Sequence, residues 1–95
     1  MYVFAGKEKL LWLFTCDGNL SMIKYMHSLP GIEDAVMPDG TTAFSMALAK
    51  GRCDLMQAFL KYKRRADIVL ARYALLEPNI DEDIKKALKS SLDIS

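Results

Sequence analysis

The stretch GTTAFSMALAKGRCDLMQAFL, residues 40 to 60, decides the fold of this chain. A short segment of mostly small residues runs up to Gly51, and a segment with larger apolar residues follows it. In both segments the apolar residues recur at helical spacing, and a glycine between them can adopt the positive φ that ends a helix. The stretch therefore predicts two helices joined by a tight turn. The residues predicted to be buried are Phe44, Ala47, Leu55, Met56 and Phe59.

The same arrangement occurs once more, earlier in the chain. Gly18 lies 33 residues before Gly51, and at this offset the apolar residues of the two regions coincide. Leu11 aligns with Phe44, for example, and Met26 aligns with Phe59. A helix pair of this kind cannot bury its apolar face alone, so neighbouring pairs have to stack. Both glycines are predicted to have positive φ.

The remaining chain also divides into short helical segments. Asn19, Thr42 and Asp81 are suited to cap helices, because their side chains can accept hydrogen bonds from free backbone N–H groups. Residues 32–41 are rich in turn-forming residues and predict no more than a short hairpin-like loop. The predicted fold class is all-α, with six helices in three stacked antiparallel pairs. One domain is predicted over residues 1–95.

The central unit resembles the ankyrin repeat. The matching residues are Asp39, Gly40, Thr42, Phe44, Ala47, Gly51, Leu55, Met56, Phe59 and Leu60. The unit departs from the family's pattern at three points: Ala43 replaces its usual proline, Ser45 replaces a histidine that normally braces the loop, and residues 63–67 replace the usual Gly-Ala-Asp after the second helix. The resemblance implies a short solenoid with a clear repeat at about 37–69, a degenerate one at about 6–36 and a cryptic helical pair at 66–92.

Ankyrin-like stacks lack catalytic chemistry and bind partner proteins through their turn tips and the concave face of their inner helices. The resemblance therefore implies a protein-interaction module with no cofactor and no small-molecule substrate. Carried over position by position, the exposed partner-binding residues are predicted to be Glu8, Cys16, Asp17, Pro38, Asp39, Thr41, Ala49 and Lys50.

Composition and residue spacing argue against several other classes. The chain is 52% hydrophobic and 26% charged, and its net charge of +1 provides no strong field toward nucleic acid or an anionic membrane. Cys16 and Cys53 have no CxxC spacing, so no metal site is predicted. His27 has no identifiable catalytic partner, so no enzyme activity is predicted. No run reaches the ~18 to 20 apolar residues of a membrane span. The chain is expected in the cytoplasm, or inside a host cell if a pathogen secretes it.

A second function stays open because basic residues cluster in residues 61–72. Lys61, Lys63, Arg64 and Arg65 lie close together in this stretch. Such a cluster is typical of a nucleic-acid or nuclear-import patch. It is more typical of a solvated helix end, where cations complement the helix dipole. Protein binding is ranked first because the 33-residue repeat covers more of the chain.

Overall fold

The computed structural model describes the backbone of residues 3–93 and the side chains of residues 6–93. This part of the chain contains six α-helices and one short 3-10 helix and no β-strand, which confirms the all-α prediction for it. The first two and last two residues of the predicted domain lie outside the described residues. The helices are α1 Val3–Asp17, α2 Leu20–Met26, the 3-10 helix Ile32–Asp34, α3 Phe44–Lys50, α4 Cys53–Leu60, α5 Arg65–Leu75 and α6 Glu82–Ser91.

Two glycines reverse the chain between α1 and α2 and between α3 and α4. Gly18 has a φ of 69° and Gly51 has a φ of 66°, so both adopt the left-handed conformation predicted for them. This conformation is readily available to glycine and unfavourable for residues with a β-carbon. The chain therefore reverses in the same way at two points that are 33 residues apart, because a glycine occupies both.

The predicted caps of α2 and α6 are confirmed. The Asn19 side chain accepts a hydrogen bond from the backbone of Met22, and the Asp81 side chain accepts two at the start of α6. The third predicted cap differs, because α3 begins at Phe44 and its N-cap is Ala43. Thr42 still accepts a 3.3 Å hydrogen bond from the Phe44 N–H, but its own hydroxyl proton is directed to a buried carboxylate.

The helices contact one another in a regular order. Within the sequential pairs, α1 contacts α2, α3 contacts α4 and α5 contacts α6. Between pairs, α3 contacts both α1 and α5, and α4 contacts both α2 and α6. The five residues predicted to be buried in α3 and α4 are all buried, and they share one apolar core with residues of the other helices. No helix within residues 3–93 is both long and apolar enough to cross a membrane.

Candidate partner-binding surface

Seven of the eight residues predicted at the binding surface are at least partly exposed. Asp17, Pro38, Asp39, Ala49 and Lys50 are exposed, and the other two, Cys16 and Thr41, are half-buried. Four of these seven lie at the C-terminal ends of α1 and α3, two helices that contact each other, at positions that are equivalent in the repeat. The remaining three belong to the turn before α3.

That turn is held by local hydrogen bonds. Asp39 Oδ1 accepts hydrogen bonds from the backbone N–H of Thr41 at 3.0 Å and from its hydroxyl at 2.6 Å. The hydroxyl bond is the main reason that the pKa of Asp39 lies below its ordinary value. Met37 and Gly40 close the turn through backbone hydrogen bonds of 2.7 and 2.8 Å. The tip therefore presents a fixed, negatively charged carboxylate to solvent.

The eighth residue, Glu8, was predicted to be exposed, and this prediction is wrong. Its side chain is fully buried. Glu8 Oε1 accepts a hydrogen bond from Arg64 Nη1 at 2.8 Å. The other oxygen, Oε2, accepts one from Arg64 Nη2 at 3.2 Å and one from the backbone N–H of Ala43 at 2.5 Å. A carboxylate with three protein donors has no need of water, and Glu8 is not available to a partner.

Arg64 lies at the centre of the buried cluster, so the interpretation of this residue as part of a solvated helix end is also wrong. It forms an ion pair with Asp67, with Nε and Nη2 donating at 2.9 and 3.2 Å. Nη1 also donates to the carbonyl oxygens of Ile32 and Ala35, at 3.0 and 3.4 Å. The Thr42 hydroxyl donates to Asp67 Oδ1 at 2.5 Å. We call Glu8, Thr42, Arg64 and Asp67 the buried charge cluster; it joins α1, the loop before α3, and the start of α5.

Burial controls the electrostatics of this cluster. It raises the pKa of Asp67, although Arg64 and Thr42 stabilise the ionised form. Burial alone would lower the pKa of Arg64, but the hydrogen bonds and charges of Glu8 and Asp67 outweigh it and raise that pKa. Every buried side-chain polar atom of the cluster has a hydrogen-bond partner. The cluster can therefore fix three chain segments relative to one another, but it cannot bind anything from solvent.

The sequence contains a signal for the burial of two members of this cluster. Glu8 stands three residues before Leu11 and seven before Thr15, so it shares a helix face with two buried residues. Asp67 likewise stands four residues before the buried Ala71. Charged residues on a buried face require a counter-charge. The identity of that counter-charge could not be read from the sequence, because Arg64 is 56 residues from Glu8.

A second exposed surface lies on α5 and was not predicted. Val69, Tyr73 and Leu76 have 45%, 66% and 77% of their surface exposed. They recur at i, i+4 and i+7, so they lie on one face of the helix, and we call them the α5 stripe. Around them in sequence are the exposed cations of the basic stretch, none of which forms an ion pair with another described residue. These cations are Lys61, Lys63, Arg65 and Arg72.

His27, the single histidine, is enclosed between α2 and the end of α4. Its Nδ1 lies 2.8 Å from the carbonyl oxygen of Ile23, and its ring stacks on Tyr62 with centroids 4.4 Å apart. Phe59 contacts it edge-on at 5.3 Å. Nε2 is buried without a hydrogen-bond partner, and burial lowers the pKa of the imidazole. The neutral ring is therefore part of the packing and does not face solvent.

Comparison with models of known protein families, with curated proteins and with solved structures found no match. Among residues 3–93, no group of three or more histidine, cysteine, aspartate or glutamate side chains is arranged to hold a metal ion. The chain's own residues and contacts are therefore the basis for any statement about its function.

Proposed function

We propose that this chain is a non-catalytic module that binds a partner protein, built from three stacked antiparallel helix pairs similar to those of ankyrin repeats. The order of the helix contacts is the observation that carries this proposal. The first, third and fifth helices contact one another in sequence, and so do the second, fourth and sixth. Units that contact their neighbours in this way form an extended surface from equivalent positions, and such surfaces typically bind other proteins.

The resemblance to ankyrin repeats is supported by the positions that the two glycine-centred units share. Gly18 and Gly51 have the same left-handed conformation. Leu11 is buried, as is Phe44 33 residues later, and the same holds for the equivalent pairs Ile23 with Met56 and Met26 with Phe59. The family's bracing histidine is replaced by serine here, and the buried charge cluster supplies hydrogen bonds between neighbouring units instead.

The proposed binding surface consists of the turn tip and the two helix ends. Asp39 and Thr41 form the tip, and Cys16, Asp17, Ala49 and Lys50 lie at the ends of α1 and α3. Both signs of charge are present, as in the polar, solvent-accessible rim of a protein–protein interface. Cys16 and Cys53 are free thiols, which supports the expectation of an intracellular, reducing location.

Affinity capture from a cell lysate, followed by binding measurements with purified variants, tests this proposal. A variant carrying Asp39→Ala, Thr41→Ala and Lys50→Ala is expected to bind the captured protein at least about 10-fold more weakly. Its melting curve should match that of the wild type, because these side chains lie at the surface. Unchanged binding by this variant would exclude the tip and the end of α3 as the site.

The matched control reverses exposed charges elsewhere, with Lys61→Glu, Lys63→Glu and Arg65→Glu. Arg64 is left intact because it is buried and paired. Retained protein binding by this control is expected. If this control loses protein binding while the Asp39→Ala, Thr41→Ala and Lys50→Ala variant keeps it, the binding site lies in the basic stretch.

Nucleic-acid binding through residues 61–72 is the second candidate, because four cations in this stretch are exposed and form no ion pair with a described residue. Binding of this kind weakens by about one log unit per log unit of salt for each phosphate contacted. Titration of a labelled oligonucleotide at two salt concentrations distinguishes the candidates. A steep salt dependence that disappears in the triple charge reversal would favour nucleic acid over protein.

A further inference from the structure

The exposed face of α5 is larger than the three apolar residues of the stripe. The exposed residues from the start of α5 to one residue beyond its C-cap recur at the spacing of a single helix face: Arg65, Val69, Arg72, Tyr73, Leu76 and Glu77. The buried residues Asp67 and Ala71 lie on the opposite face, against the rest of the molecule. The face is therefore one continuous strip with a charge at each end and a largely apolar middle that is bordered by Arg72.

The middle of this strip has the shape that accepts a side chain of another helix. Val69, Arg72, Tyr73 and Leu76 border a groove of about 230 Å³. These four residues stand at i, i+3, i+4 and i+7, which is the arrangement of the hole in knobs-into-holes helix packing. A helix lying along α5 could insert one side chain there and cover the exposed stripe.

The charges at the two ends identify which helix fits. Arg65 lies six residues before Ala71 and Glu77 lies six residues after it, while Val69 and Tyr73 lie two residues on either side. An antiparallel copy of the same helix, related by a two-fold axis that crosses the exposed face level with Ala71, would place Arg65 opposite Glu77 of the second copy. The same operation places Val69 opposite Tyr73 of the second copy. A self-complementary surface of this kind is what a two-fold dimer requires.

We propose that α5 is the contact between two copies of this chain, packed antiparallel through the α5 stripe and closed at each end by an Arg65–Glu77 ion pair. Arg72 is level with the axis but lies on one flank of the face, so the two-fold axis places the two copies of Arg72 on opposite flanks. Each guanidinium can lie over the Tyr73 ring of the second copy. A face that is only about 16 Å long is short for an interface of the standard size of about 1,600 Å². The dimer is therefore expected to be weak.

Sedimentation equilibrium of the full chain between about 5 and about 500 μM tests the proposal. The average molar mass should rise from that of one chain toward that of two. Leu76→Asp should keep the chain monomeric throughout, because it places a charge in the apolar middle. The matched control is Leu13→Asp on α1, where the native leucine is 50% exposed, and this variant should dimerise like the wild type. Melting curves at low concentration check that both variants are folded.

Charge exchange tests the antiparallel arrangement. Arg65→Glu alone and Glu77→Arg alone should each weaken the dimer about 10-fold. Each variant turns the ion pair at both ends of the interface into a contact between like charges. The double variant Arg65→Glu with Glu77→Arg should return to within about 3-fold of the wild type. A chain that is monomeric at every concentration, a dimer that Leu76→Asp does not affect, or a double variant weaker than both single variants would each overturn the proposal.

Discussion

Two arginines of this chain pair with an aspartate close to them in sequence, and their surroundings are opposite. Arg64 and Asp67 approach to 2.9 Å, and their side chains are 2% and 0% exposed. Arg52 and Asp54 approach to 2.6 Å, and their side chains are 43% and 47% exposed. The pairs have the same chemistry and nearly the same separation in sequence. They differ in the amount of water around them, and the buried pair has additional hydrogen-bond partners in Glu8 and Thr42.

This difference reverses the direction of the net pKa shift of the aspartate, although both arginines act to lower that pKa. The hydrogen bond from Arg52 is the main cause of a lowered pKa at Asp54. At Asp67 the loss of water outweighs Arg64, and the pKa is raised. A short ion pair therefore does not by itself indicate a stabilising one. Its contribution depends on what happens to the charges that remain when one partner is removed.

The largest effect is expected when Arg64 is replaced. Arg64→Met leaves Glu8 and Asp67 buried without a counter-charge, and removal of one partner of a buried pair typically lowers the free energy of unfolding by about 3 to 5 kcal/mol. In a chain of this size such a loss can unfold most molecules. Urea unfolding followed by circular dichroism measures the effect. Arg52→Met is the control, and it should leave the urea midpoint unchanged because Asp54 keeps its water.

Neutralisation of the buried carboxylates tests whether uncompensated charge is the cause of the lost stability. If uncompensated charge destabilises Arg64→Met, then adding Glu8→Gln and Asp67→Asn should recover part of the lost stability. A triple variant less stable than Arg64→Met alone would show that lost hydrogen bonds and packing, and not charge, dominate at this site.

A smaller effect is expected at the two left-handed glycines. Gly51→Ala should lower the free energy of unfolding by roughly 1 kcal/mol, because a β-carbon is unfavourable at positive φ. Its added carbon would lie 3.9 Å from Ile84 Cδ1, an ordinary contact. At Gly18 the added carbon would overlap with Arg52 Nη1, so Arg52 would have to move away. Thermal and urea unfolding of both variants provide the measurement.

The comparison between these two glycine variants is informative about the exposed ion pair. If that pair contributes little, Gly18→Ala and Gly51→Ala should be destabilised equally, since Arg52 is free to swing into solvent. A markedly larger loss at Gly18 would contradict the view that the exposed pair is unimportant.

The smallest effect is expected at His27 and depends on pH. Burial lowers its pKa in the folded chain from the ordinary 6.5, so the unfolded chain binds more protons as the pH falls below 6.5. The stability that depends on the neutral imidazole is therefore present above pH 6.5 and is lost toward lower pH. Arg64 also lowers this pKa, whereas Glu8 raises it. Asp67 makes the opposite contribution to the pH dependence of stability. Its pKa is raised, so the stability linked to it is lost as the pH rises.

Comparison of the wild type with His27→Gln isolates the histidine, because the carboxylates remain in both. The wild type should lose more stability than the variant between about pH 7.5 and about pH 5.5, as measured by urea unfolding. Equal losses in the two proteins would show that the imidazole does not titrate across this range.

The sequence was a good guide to features determined by neighbouring residues. Helix order, the caps Asn19 and Asp81 and the conformations of Gly18 and Gly51 all follow from short-range chemistry. It was a poor guide to which polar residues face water. The repeat alignment placed Glu8 on the surface, but a donor that lies 56 residues away determines its position. The α5 stripe was missed for a related reason, because the sequence does not reveal which apolar residues remain uncovered after packing.

The link between Glu8 and Arg64 also has a consequence for the order in which the molecule assembles. Synthesis proceeds from the N-terminus, so Glu8 and the first four helices exist before Arg64 has been made. Until then, α1 cannot take its final place beside Ala43 without burying an unmatched carboxylate. Helix pairs that contact mainly their neighbours would otherwise be able to fold one after another. Here the final packing of α1 requires Arg64, the residue immediately before α5. The chain is therefore expected to gain its native packing in one late step.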